Sequence, residues 1–154
     1  MHWERGARGR DSSQGFQAIL VPVDGSPASA RGVEFACGLA RRSKAKVYVV
    51  HVIEVKRALP LDADLTVEAQ RGEDILTSAE AAARRQDFEI EGDLLQARDA
   101  GHAIVDEALE QQADAIIVGV PFKRPFGEFE LSRVPSHVLR SAQCEVVLLR
   151  MPAE

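Results

Sequence analysis

Apolar positions along the chain fall into two alternating patterns. Five short runs are rich in β-branched residues: Ile19–Val23, Val47–Ile53, a weaker one around Ile90–Leu95, Ala115–Val120 and Val146–Leu149. Four are nearly continuous, as expected of strands covered on both faces in a parallel sheet. The third alternates Ile90, Gly92 and Leu94 with Glu89, Glu91 and Asp93, which leaves one face wet and predicts an edge strand. Between the runs the period lengthens to that of a helix. Ala36, Leu39 and Ala40 form the first stripe, opened by Ser26 or Pro27. Leu65, Ala69, Gly72, Ile75, Leu76, Ala79 and Ala83 form the second. Ile104, Val105, Ala108 and Leu109 form the third, and Val134, Val138, Leu139 and Ala142 the fourth. The order β-α-β-α-β-α-β-α-β with right-handed crossovers predicts a doubly wound α/β sandwich. Pro60–Ala63 is the segment expected to be the most mobile loop.

Composition narrows the function classes. The 154 residues are the size of one domain, 45% hydrophobic and 28% charged. A net charge of −5 and an aromatic content of 5% argue against phosphate-driven nucleic-acid binding and against a base-stacking platform. Residues 1–15 read as a polar arm expected to be disordered, with no apolar region of a secretory signal, and residues 16–151 as the folded domain. No apolar segment is long enough for a membrane helix. Cys37 and Cys144 form no metal-ligand spacing and read as reduced, packed thiols of a cytoplasmic protein.

In a doubly wound sheet, ligands bind beyond the carboxyl ends of the strands. Asp24 stands at the first such end, where its carboxylate could meet a ribose or an adenine edge, or could cap the following helix. No P-loop or dinucleotide fingerprint follows the first strand, and no acid adjoins Asp24 as a receiver domain would require. No nucleophile is framed by a base. His51 lies within the second strand and reads as a packed, hydrogen-bonded imidazole. His2, His102 and His137 are scattered, and no metal site is expected. Beyond Gly119 a loop of about a dozen residues leads to a helix starting near Ser132, an arrangement whose free N–H groups suit an anion.

From Gln17 to Arg150 the chain resembles the universal stress protein family. The likeness rests on Ile-Leu-Val-Pro-Val-Asp-Gly-Ser before a helix, Val-Val-His-Val-Ile in the second strand, Asp-Ala-Ile-Ile-Val-Gly in the fourth, and the closing Val-Leu-Arg-Ser-Ala-Gln-Cys-Glu-Val-Val-Leu-Leu-Arg. The resemblance implies a flavodoxin-like, adenine-nucleotide alpha-hydrolase-like α/β/α sandwich. Its five-stranded parallel sheet would run in the order 3-2-1-4-5. It also implies a cytoplasmic homodimer joined through Val146, Val147, Leu148 and Leu149 of the last strand. Members that bind ATP carry G-x2-G-x9-G-[ST] after the fourth strand. Here Gly119 matches, but the next three positions hold Phe122, Ser132 and Arg133. Pro121 and Pro125 further remove amide donors from the loop.

By matching positions, Pro22, Val23 and Asp24 would flank adenine and ribose, Val52 would offer main-chain contacts, and Val118 and Gly119 would floor the pocket. Ser132, Arg133 and Val134 would stand at the phosphate end. Lys123, Arg124 and Arg133 could pair with phosphate, or could be a solvated basic surface balanced by Glu128 and Glu130. The expected function is a non-enzymatic stress-response module with weak or altered binding of AMP or ATP. The alternative is an ATP-binding member with slow hydrolysis or self-phosphorylation. An enzyme of the nucleotidyl-transferase type would need a catalytic loop that the chain lacks.

Overall fold

The β-branched runs and the helical stripes become nine elements in the computed structural model, which describes residues 15–122 and 129–153. In chain order they are β1 (Ala18–Pro22), α1 (Pro27–Ser43), β2 (Lys46–Glu54), α2 (Thr66–Arg85), β3 (Glu91–Ala97), α3 (Ala100–Glu110), β4 (Ala115–Val120), α4 (Arg133–Ser141) and β5 (Glu145–Arg150). All strand pairs are parallel and the sheet order is β3-β2-β1-β4-β5, as expected. The arm expected over residues 1–15, apart from Gly15, lies outside the described residues, as do His2, Lys123, Arg124, Pro125 and Glu128.

The period of two in each strand assigns its side chains to opposite layers. Ile19 and Val21 of β1 pack with Val47, Val49 and Ile117 under α1 and α2, against Val33, Ala36, Leu76 and Ala79. Leu20 points the other way, with Val50, Ile116 and Val118 under α3 and α4, against Ile104, Ala108 and Val138. Ile19, Leu20 and Val21 are wholly buried, so the central strand contributes about 1.5–3 kcal/mol of hydrophobic stabilisation per side chain. Asp114 fixes the register at the amino end of the sheet. Its carboxylate accepts from Gln17 N at 2.9 Å and Ala18 N at 3.1 Å, and its own N–H donates to Ala18 O.

The two edges differ. Glu91, Gly92 and Asp93 are exposed on β3, whereas Val146, Val147, Leu148 and Leu149 of β5 are half-buried. The helical stripes hold except at their ends. Leu109 and Leu139, expected on apolar faces, are 51% and 45% exposed: each directly follows a buried residue, Ala108 or Val138, and so stands about 100° round the helix from it. Loop residues Leu61 and Ala63 are held by the Gln96 side chain, whose Nε2 donates to both carbonyls. Both cysteines are free. Burial raises the Cys37 thiol to about 11, and the half-buried Cys144 is raised for the same reason.

Candidate functional site

The cleft begins with the turn after β1. Ser26 is the N-cap of α1, with its side chain accepting from Ser29 N at 3.1 Å and Pro27 at the first helical position. The cap is therefore Ser26 and not Asp24. The Asp24 carboxylate instead closes a short turn by accepting from Ser26 N at 2.9 Å. Ser29, 5% exposed, completes the circuit: its Oγ accepts from Asp24 N at 3.3 Å and donates to Ser26 O at 3.0 Å. Burial alone would raise the Asp24 carboxyl, but hydrogen bonding by Ser26 and Ser29 outweighs it and holds the group below its ordinary value. Asp24 is thus a fixed carboxylate at the mouth of the cleft.

Two neighbouring strands secure this turn. Val23 N donates to Val50 O at 2.8 Å. The ring of His51 donates through Nδ1–H to Val23 O at 2.7 Å, the expected hydrogen-bonded role for this half-buried imidazole. From the other side, the first turn of α1 lies directly on β4. A Cβ added at Gly119 would stand 1.9 Å from Ala28 O, so the backbone of α1 occupies the space that any side chain would need. Gly119 is dictated by this helix–strand approach.

The resulting cleft encloses about 980 Å³ between the carboxyl ends of β1, β2 and β4 and the starts of α1, α3 and α4. Pro22, Val23, Asp24, Val52, Val118, Gly119, Ser132 and Val134, all anticipated as site residues, line it together. Arg133 does not. The walls also include Ser26, Ser29, His51 and Ile104, and Phe122 and Pro121 stand where the loop leaves β4. Residues Met151 to Ala153 form a further wall that no strand or helix period announces. Met151 N donates to Val120 O at 2.9 Å, and the Arg150 guanidinium lies 5.0 Å from the centre of the Phe122 ring.

Arg133, at the first position of α4, turns to the rim between α3 and α4. Its Nη2 donates to both oxygens of Glu54 at 2.9 and 2.8 Å, and its Nη1 to Asp99 at 3.1 Å. Among the described residues its partners are thus Glu54 and Asp99 rather than Glu130, and Glu128 lies outside the described residues. Charge pairing across this tertiary contact replaces the local balance that the sequence suggested. Both acids are themselves anchored. Glu54 accepts from Ala100 N at 2.8 Å, and this bond, with Arg133 second, holds its carboxyl below the usual pKa. Asp99 caps α3 by accepting from His102 N at 3.0 Å, which chiefly holds its carboxyl low as well. The rings of His102 and His137 lie 4.9 Å apart, with His137 turned inward over Gly101. No group of three or more His, Cys, Asp or Glu among the described residues could hold a metal ion, and no described helix is long and apolar enough to cross a membrane.

Chemically, the cleft offers apolar walls, one fixed carboxylate and exposed strand-end backbone, a combination suited to a flat heterocycle with a polar sugar. Comparison with known proteins gives the family. The universal stress protein family model matches residues 15–150. A universal stress protein of Methanocaldococcus jannaschii is 26% identical over 149 residues, 93% of this chain and 87% of that protein. The solved universal stress protein from Archaeoglobus fulgidus is 28% identical with a TM-score of 0.75, covering 86% of this chain and 97% of its own. A universal stress protein of the same organism, solved in complex with dAMP, is 27% identical with a TM-score of 0.68, covering 86% and 96% of the two chains. With the expected sheet order, the strand-end cleft and a family match over nearly its whole length, this chain belongs to the universal stress protein family.

Proposed function

We propose that this protein is a non-enzymatic regulatory module of the stress response whose cleft takes an adenine nucleoside or its monophosphate and holds triphosphate poorly. The observation that carries this reading is the contrast inside one cleft. The walls around Val23, Val52 and Val118 are apolar with the Asp24 carboxylate beside them, while the positions that would grip a polyphosphate tail hold Phe122 and Ser132, with Arg133 outside the lining. The relative solved with dAMP supports the choice of ligand class. A Phe ring and a proline in the loop remove close backbone approach and an amide donor. Losing two or three charge-assisted hydrogen bonds at about 1.5–3 kcal/mol each weakens triphosphate binding by orders of magnitude.

Calorimetry with adenosine, AMP, ADP and ATP tests the reading. Heat is expected with adenosine and AMP, with ATP binding no tighter than AMP; silence with AMP at millimolar concentration would overturn it. The triple variant Phe122→Gly, Ser132→Gly, Arg133→Ser is expected to gain at least about a hundredfold in ATP affinity.

The apolar edge of β5 further supports a homodimer in which Val146, Val147, Leu148 and Leu149 meet their counterparts. Sedimentation at micromolar concentration is expected to show a dimer, and a Val147→Lys, Leu149→Lys variant a monomer.

A further inference from the structure

We infer that Glu54 and Asp99 set the ligand class of the cleft: by engaging Arg133 they withhold its guanidinium from a ligand's phosphates, so that the cleft favours an uncharged adenine nucleoside over its polyphosphate. The inference rests on the adenine-nucleotide reading above. Ala100 and Ser132, the chain neighbours of Asp99 and Arg133, both line the cleft, so the three charges stand at its rim. The arginine commits both terminal nitrogens to the two carboxylates, Nη2 to the two oxygens of Glu54 and Nη1 to Asp99.

The acids are the fixed partners. Glu54 is anchored by Ala100 N and Asp99 by His102 N, whereas the Arg133 side chain is 60% exposed and bonded to nothing else described. Arg133 is therefore the mobile member of the cluster, and a phosphate must compete with two pre-placed carboxylates to recruit it. Of the other described cations near this end, Arg150 lies over the Phe122 ring and Arg98 donates to Val55 O and Lys56 O.

The test compares adenosine and ATP affinities in the full chain carrying Glu54→Gln and Asp99→Asn. Both substitutions keep an oxygen acceptor for Ala100 N and His102 N, so the start of α3 stays capped. ATP affinity is expected to rise about fivefold, the scale of an exposed charge pair, with adenosine unmoved. Adding Arg133→Gln is expected to abolish the gain, and in wild type the preference for adenosine is expected to narrow as salt rises. If the double variant does not fold, Glu54→Gln alone is expected to give part of the gain. Wild-type adenosine binding with ATP unmoved by the variants, or an equal gain for both ligands, overturns the inference and leaves the reading of the cleft standing. No adenosine binding to wild type overturns that reading, and the inference with it.

Discussion

The two ends of the cleft are held by different physics. At the β1–α1 end, the hydrogen bonds of Asp24, Ser26 and Ser29 join residues two to five positions apart. Within the turn these polar groups satisfy one another, and β2 adds the bonds of Val50 O and His51 to Val23. At the α3–α4 end, Arg133 reaches Asp99 across 34 positions and Glu54 across 79, and Glu54 reaches Ala100 across 46. That end exists only when β2, α3 and α4 are all in place. The local end is built from short-range bonds around the buried Ser29, whereas the assembled end is exposed, charged and open to competition from solvent and salt.

Breaking the joint between the ends should have the largest effect. Gly119→Ala drives a methyl group into Ala28 O, so α1 must lift from β4. A loss of at least about 3 kcal/mol in urea unfolding is expected, with nucleotide binding lost alongside. Ser29→Ala affects the local end alone. It strands Asp24 N and removes the donor to Ser26 O, and about 1–2 kcal/mol should disappear from the same measurement. Glu54→Ala touches only the assembled end, and its shift of the urea midpoint should be smaller than that of Ser29→Ala because the cluster is largely exposed.

Acid sharpens the same contrast. The carboxyls of Asp24, Glu54 and Asp99 all lie below their ordinary values when folded. Their stabilisation is therefore complete above the unfolded values of about 4 and is lost as pH falls through the lower folded values. Unfolding curves should show no pH dependence from these groups between about pH 5 and pH 7, where their contribution is full, and a decline below about pH 4. Glu54→Ala should remove part of that decline, and at high salt the part due to Glu54 and Asp99 should shrink more than the part due to Asp24.

Much of the architecture was legible from period alone. Continuous runs gave the buried strands, and the Glu89, Glu91, Asp93 alternation marked β3 as an edge, because a parallel sheet covers every strand but its outermost on both sides. Ser26-Pro27 announced the start of α1 through local capping chemistry. Period could not say on which side of Ala108 and Val138 cover ends, which leaves Leu109 and Leu139 exposed. Among the residues that line the cleft, Asp24 and Gly119 followed from the strand-end rule, and Pro22, Val23 and Val118 from matching positions in the resemblance. The partners of Arg133 were not, since charge pairing over such separations depends on which helix starts meet. Nor was the reason for Gly119 visible: a glycine in the sequence does not say whether a ligand or another backbone fills the space beside it.

The short stretch after β5 has a practical consequence. Met151 to Ala153 form part of the wall of the cleft, so a purification handle or reporter fused behind them would emerge at its mouth and could shadow it. Titrations on such a fusion would mix the affinity of the protein with obstruction by the appended polypeptide. A cleavable handle placed before Phe16, whose carbonyl accepts from Ser43 Oγ near the far ends of the strands, keeps the entrance clear.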